Sequence, residues 1–254
     1  MITFIIPLQS KSASKNWELV CSLFKRTLNS VLSQTCDNYK VIIVCEDLPD
    51  NLPEHKNLIV IKNKFQEGDL SVSRNRMQNK WDKVRFGLQH VQCFLPCYVM
   101  IVDADDLVSN RIAEFCNNNS NKNGWYLNNG WLHDEGSNQL YLRRRDFNMM
   151  CGTSSIVYLH HDDLTSTNSH DEQSCIILKC GHTTIKQGMI KRGTPLSQLP
   201  FIGSVYILGT GENDSGFSLK SWDSIKVRIK KLLSYRYLSK KIRNEFSLFE
   251  LTKS

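Results

Sequence analysis

The chain has 254 residues, enough for one large or two small domains, and its 41% hydrophobic and 22% charged residues are the balance of a globular protein. No run approaches the roughly 18 consecutive apolar residues of a membrane span, and Met1–Leu8 lacks the basic start of a signal peptide, so neither is expected. The net charge of +7 sits in one place: residues 217–254 carry ten Lys and Arg against Asp223, Glu245 and Glu250, the rest being formally neutral. A neutral body with no base-reading motif excludes nucleic acid as the natural partner.

In chain order, Ile2 to Leu8 reads as a first strand closed by Pro7, and Trp17 to Gln34 as a helix with Leu19, Leu23, Leu28, Val31 and Leu32 at helical spacing. Lys40 to Cys45 is a second strand ending in Glu46 and Asp47, and Leu58 to Lys62 a third. The polar segment Asn63 to Asn79 gives no period, and a helix is expected over Lys80 to Gln92. Tyr98 to Val102 is the fourth strand, a β-branched apolar run of the kind buried on both faces. Alternating strands and helices predict an α/β fold with a mostly parallel sheet, in which ligands bind at the carboxyl ends of the strands. Pro7, Glu46, Asp47 and the acidic end of the fourth strand all fall there.

That acidic end, Asp103-Ala104-Asp105-Asp106, is the most informative stretch. Strand alternation would put Asp103 and Asp105 on one face, where their mutual repulsion is relieved by a divalent cation such as Mg²⁺ or Mn²⁺. The competing reading is a solvated acidic turn that caps the next helix. Nine cysteines, an odd number with several in apolar runs, point to a reducing, cytoplasmic setting.

The second half is less regular. An Asn-rich loop leads into Trp125, Tyr126 and Trp131, which suit either an acceptor site or the core, and Tyr141 to Arg145 is expected to pair with this stretch as a hairpin. Ile156 to Leu159 is another apolar run, a helix-like stretch holds Gly181-His182, and Pro200 to Leu208 precedes a polar loop at Gly209 to Ser215. From Ser224 to Leu251, apolar residues recur mostly three or four apart with Lys and Arg between them. This is a basic amphipathic helix or helix pair, suited to an anionic membrane surface or to packing on the domain.

Ile5-Ile6-Pro7-Leu8, Ser30-Val31-Leu32-Ser33-Gln34-Thr35, Val41 to Asp47 and Ile101 to Asp106 follow one another in an order that resembles the GT-A glycosyltransferases, in particular family-2-like nucleotide-sugar enzymes. The resemblance is clear over residues 1–110 and fades after about 150. It implies a Rossmann-like three-layer sandwich and a metal ion at Asp103 and Asp105. In that scheme Asp105 ligates the cation that bridges the donor diphosphate, and Asp103 touches the ribose or a metal-bound water. Pro7, Glu46 and Asp47 would hold the nucleoside, although Glu46-Asp47-Leu48-Pro49 departs from the family's usual sequence after strand two. Ser73-Arg74-Asn75 matches a family segment but lies far upstream of Asp103. Lys83 and Arg85 are therefore the expected diphosphate contacts. For the catalytic base the candidates are Asp171, Glu172 and His182, the last being also a candidate metal ligand.

These readings give a GT-A domain over 1–216 and a basic helical tail over 217–254. The expected activity is metal-dependent, inverting transfer of a sugar from a UDP- or GDP-sugar to a glycan or lipid-linked acceptor, in bacterial surface polysaccharide synthesis. The setting is cytoplasmic, peripheral at the membrane's inner face. The alternatives are a sugar-phosphate nucleotidyltransferase, argued against by the absence of glycine in Gln9 to Lys15, and a non-catalytic binding module on the same fold.

Overall fold

The computed structural model describes residues 1–65, 73–120, 122–164, 175–212 and 234–251. Two sheets organise them. The larger has seven strands: β1 (Ile2–Pro7), β2 (Tyr39–Cys45), β3 (Leu58–Lys62), β4 (Cys97–Ile101), β6 (Gly124–Tyr126), β9 (Ser155–Leu159) and β10 (Ser197–Gln198). Their order is β10-β6-β9-β4-β1-β2-β3, with β9 antiparallel to both neighbours and every other pairing parallel. This is the mixed α/β, mostly parallel architecture expected of a Rossmann-like fold of the GT-A type.

Side-chain alternation along the strands builds the layers. Phe4, Ile6, Val41, Ile43, Tyr98 and Met100 face α1 (Trp17–Leu32) and α3 (Ile112–Asn118), which bring Phe24, Leu28, Val31 and Ile112 to one core. Ile5, Ile42, Val44 and Val99 face the opposite way, towards α2 (Ser73–Val91), α4 (Ile176–Lys179) and α5 (Ile185–Lys191). Covered on both sides, β1, β2 and β4 need apolar residues at nearly every position, which made them easy to recognise.

The second sheet comprises β5 (Leu107–Val108), β7 (Gly130–Asp134), β8 (Gln139–Arg143), β11 (Ser204–Leu208) and β12 (Tyr235–Tyr237), in the order β12-β8-β7-β11-β5. The expected hairpin forms between β7 and β8, with Trp131 opposite Leu142. Trp125 and Tyr126 go instead to the first sheet, paired with β9. Trp125 and Trp131 are both buried, Trp125 against Tyr98 with ring centroids 4.9 Å apart, so these tryptophans serve the core and not an acceptor site.

Where it is described, the C-terminal segment is not helical throughout, as the expected helix or helix pair would be. It is the strand β12, antiparallel to β8, followed by the short helix α6 (Lys240–Phe246). Phe246 and Leu248 are buried with Leu23, Trp131 and Val205. The apolar half of this segment is thus spent on the domain, and Lys240 and Lys241 are left exposed. Residues 217–233 and 252–254 of the expected tail, and residues 213–215 of the expected loop, lie outside the described residues. No helix among the described residues is long and apolar enough to cross a membrane.

Candidate active site

A cleft of about 490 Å³ opens at the carboxyl ends of β1 and β4. Pro7, Leu8 and Gln9 form one side, and Asp103, Ala104 and Asp105 the floor. Arg76, Lys80, Trp81 and Lys83 of α2 form a wall, with Met150, Gly152, His182, Tyr206 and Glu212 closing the rest.

The two acidic residues meet in the cleft, but not by strand alternation. β4 ends at Ile101, and Asp103–Asp106 is a tight turn closed by the Asp106 amide donating to the Asp103 carbonyl at 3.0 Å. The Asp103 amide donates to Thr153 Oγ at 2.9 Å, and its carboxylate lies so close to Gly152 that a Cβ there would stand 2.4 Å from Oδ2. Lys80 Nζ sits 2.5 Å from Asp103 Oδ1. Burial opposes the Lys80 ammonium, yet Asp103, Asp105 and Asp106 together raise its pKa above the ordinary lysine value.

Asp105 carries the opposite strain. Burial, and then the Asp103 charge beside it, push its carboxyl up to about 7 against the partial relief of Lys80. Asp106 is wholly buried and structural: it accepts hydrogen bonds from Cys151 Sγ at 3.2 Å and from the Ile207 amide at 3.3 Å, tying the floor to β11. Burial and its acidic neighbours hold its pKa well above the usual range.

Among the described residues no group of three or more His, Cys, Asp or Glu side chains is placed to hold a metal ion. The donor set still suits a hard cation of the Mg²⁺ or Mn²⁺ kind. Such ions take one or two carboxylates and complete their shell with phosphates and water, and a cation would relieve the charge crowded on Asp105. Asp103 already has a counter-charge in Lys80, which leaves Asp105 as the freer ligand.

His182 lies between α4 and α5 and lines the same cleft. Burial lowers its pKa, partly offset by Asp103, which favours the uncharged ring. The other two candidate bases, Asp171 and Glu172, fall outside the described residues.

The carboxylates after β2 do not line the cleft and are taken up by local partners. Glu46 pairs with Lys83 at 2.9 Å and accepts from Asn79 at 3.1 Å, while Asp47 accepts from the Lys11 amide at 2.8 Å. Lys83 reaches the cleft, but its ammonium is 1% exposed and also donates to the Leu8 carbonyl at 2.9 Å. Arg85 does not line the cleft; it pairs with Asp82 at 2.9 Å along the helix.

The reason is where α2 begins. A helix that follows a parallel strand starts at the sheet's carboxyl edge and runs away from it, so its first turns lie nearest the site. With the start at Ser73 instead of Lys80, the cleft receives Arg76, Lys80 and Lys83, and Arg85 sits roughly 18 Å down the axis from the start. Arg76 and Lys80 had no place among the expected site residues. The signal was their spacing, since positions 76, 80 and 83 form one stripe of a helix.

No family model matches the chain, and no curated protein matches it. Among solved structures, a 4-diphosphocytidyl-2C-methyl-D-erythritol synthase is 12% identical, with 92% of this chain and 98% of that one covered at a TM-score of 0.39. The 2-C-methyl-D-erythritol 4-phosphate cytidylyltransferase of Francisella tularensis is 11% identical, covering 91% and 100% at the same TM-score of 0.39. A likeness this loose transfers no chemistry from those enzymes to individual residues here.

Proposed function

We propose that the protein is a glycosyltransferase that moves a sugar from a nucleoside diphosphate donor to a hydroxyl of a glycan or lipid-linked acceptor. The observation that carries the reading is the meeting, in one cleft at the carboxyl edge of a parallel sheet, of Asp103 and Asp105 with Arg76, Lys80, Lys83 and His182. Carboxylates for a cation, an arginine and a lysine for phosphate oxygens and an imidazole for the acceptor proton are the groups such a transfer needs.

In this reading Asp105, with Asp103 beside it, would hold a Mg²⁺ or Mn²⁺ ion, which as a Lewis acid supplies charge neutralisation at the diphosphate. The α2 wall binds and orients the diphosphate through Arg76 and Lys80. His182 accepts the proton of the acceptor hydroxyl as that oxygen bonds to the anomeric carbon; the bond to the donor phosphate breaks and the nucleoside diphosphate departs with its electron pair. One displacement inverts the anomeric configuration. UDP- and GDP-sugars are the donors in view, a surface polysaccharide the product. Contact of the basic segment 217–254 with an anionic membrane belongs to the same proposal and is read by liposome sedimentation.

A second reading is nucleotidyl transfer onto a sugar phosphate. The cationic wall of Arg76 and Lys80 would serve a triphosphate as well as a diphosphate. The two are separated by product. Purified protein with Mn²⁺ is given nucleotide sugars in one series, and nucleoside triphosphates with sugar 1-phosphates in another. Nucleoside diphosphate release supports glycosyl transfer, and pyrophosphate release supports the second reading. Neither product from any pairing argues for a binding module.

A further inference from the structure

Behind Asp103 the cleft borders a smaller chamber of about 40 Å³. Lys80, Trp81, Asp103, Gly152 and His182 line both spaces and form the mouth between them. The floor follows from strand alternation. Alternate residues of β4, Val99 and Ile101, point into it, and the neighbouring β9 contributes Ser155 and Val157. Ile177 of α4 and Ile185 of α5 cover it from the helical layer.

Among the described residues, the lining beyond the polar mouth is therefore aliphatic, with Ser155 and Cys180 the exceptions. A dry cavity of roughly 150 Å³ accepts a benzene-sized ring. At about 40 Å³ this one has room for a methyl or the end of an acetyl group, and none for a pyranose. A hydroxyl placed there would face mostly aliphatic walls that cannot satisfy it, whereas a methyl leaves water without losing a hydrogen bond.

We propose that the chamber is a donor-sugar subsite for a methyl-bearing substituent, carried by an N-acetyl group or by C6 of a 6-deoxy sugar, on a ring seated at Asp103 and His182. The inference rests on the nucleotide-sugar reading above and adds the substrate class. Lys80 and His182 at the mouth stand where an acetyl carbonyl would accept a hydrogen bond, and a 6-deoxy sugar would use the aliphatic floor alone.

The test is calorimetric titration of the full chain, with Mn²⁺, against matched donors: UDP-N-acetylglucosamine with UDP-glucose, GDP-6-deoxymannose with GDP-mannose, and dTDP-fucose with dTDP-galactose. Bare UDP, GDP and dTDP are run alongside. The expected result is a roughly tenfold tighter binding of the methyl-bearing member in at least one pair, the pair identifying N-acetyl or 6-deoxy as the source. Ser155→Leu, which fills the chamber from β9, should erase that preference and leave the bare nucleotide titration as in the wild type. Cys180→Phe fills it from the other side, should the first variant disturb the strand.

Equal binding within every pair, with bare nucleotide still bound, overturns the subsite and leaves the nucleotide reading standing. So does a preference that survives both fillings. If no nucleotide or nucleotide sugar binds at all, the donor reading falls and the subsite falls with it. The wild-type comparison decides even where neither variant folds.

Discussion

Asp105 is held in a place that does not suit a lone carboxylate. Its folded pKa of about 7 lies above the ordinary carboxylate range, so the folded state binds the proton more tightly than the unfolded chain does. Stability from this group is complete at low pH and is lost as pH rises from about 4 through the folded value near 7. Asparagine has no such loss. In metal-free buffer Asp105→Asn should melt with the wild type near pH 4 and above it at pH 8, by about 2–4 °C for each kcal/mol relieved. An equal difference at both pH values would show that charge is not the cause. Lys83 presents the converse case, a cation matched by Glu46 with both side chains under 10% exposed. Lys83→Met should cost roughly 3–5 kcal/mol by leaving Glu46 buried and unpaired, and Glu46→Gln in the same chain should restore most of it. Denaturant unfolding reads both changes; no recovery in the double variant would mean that Lys83 acts chiefly through the Leu8 carbonyl.

At the scale of elements, α2 decides which cationic side chains line the cleft. Arg76 lines the cleft and Arg85 does not, so Arg76→Ala should weaken nucleotide diphosphate binding by roughly tenfold, the scale of one charge-assisted contact, while Arg85→Ala changes it little. Comparable losses in both titrations would place the phosphates elsewhere. The same helix shows what was legible in the sequence. β1 to β4 and the body of α1 could be read because burial on two faces, or on one helical face, imposes a period on apolar residues. The first two turns of α2 carry almost no such period: from Ser73 to Lys80 only Met77 is apolar. Of those residues Arg76, Met77, Asn79 and Lys80 line the cleft, and a helical turn that borders a cleft instead of the core loses the apolar pattern that would announce a helix. The acidic turn was legible from composition, although its geometry comes from a turn and not from the strand. Strands of two or three residues, such as β5, β10 and β12, are too short for any period, and only long-range pairing creates them.

Across the whole molecule, the C-terminal segment is part of the fold wherever it is described. The Glu245 carboxylate accepts from Ser109 Oγ at 2.7 Å, the Ser33 and Ser247 hydroxyls are 3.1 Å apart, and Phe246 is 1% exposed. Phe246→Ala should therefore lower the melting temperature by roughly 10 °C, as removal of a buried phenyl ring costs about 3–5 kcal/mol. A detachable tail would leave it unchanged. Six strands of the larger sheet and its flanking helices meet at one carboxyl edge or support it, and the account as a whole depends on that edge binding a nucleotide through Asp105. The most direct measurement is a thermal-shift titration with UDP, GDP and their sugars, with and without Mn²⁺, on the wild type and on Asp105→Ala. The account predicts a rise in melting temperature that needs both the nucleotide and the ion and that disappears in Asp105→Ala. No rise with any nucleotide, or an equal rise in the variant, would contradict it.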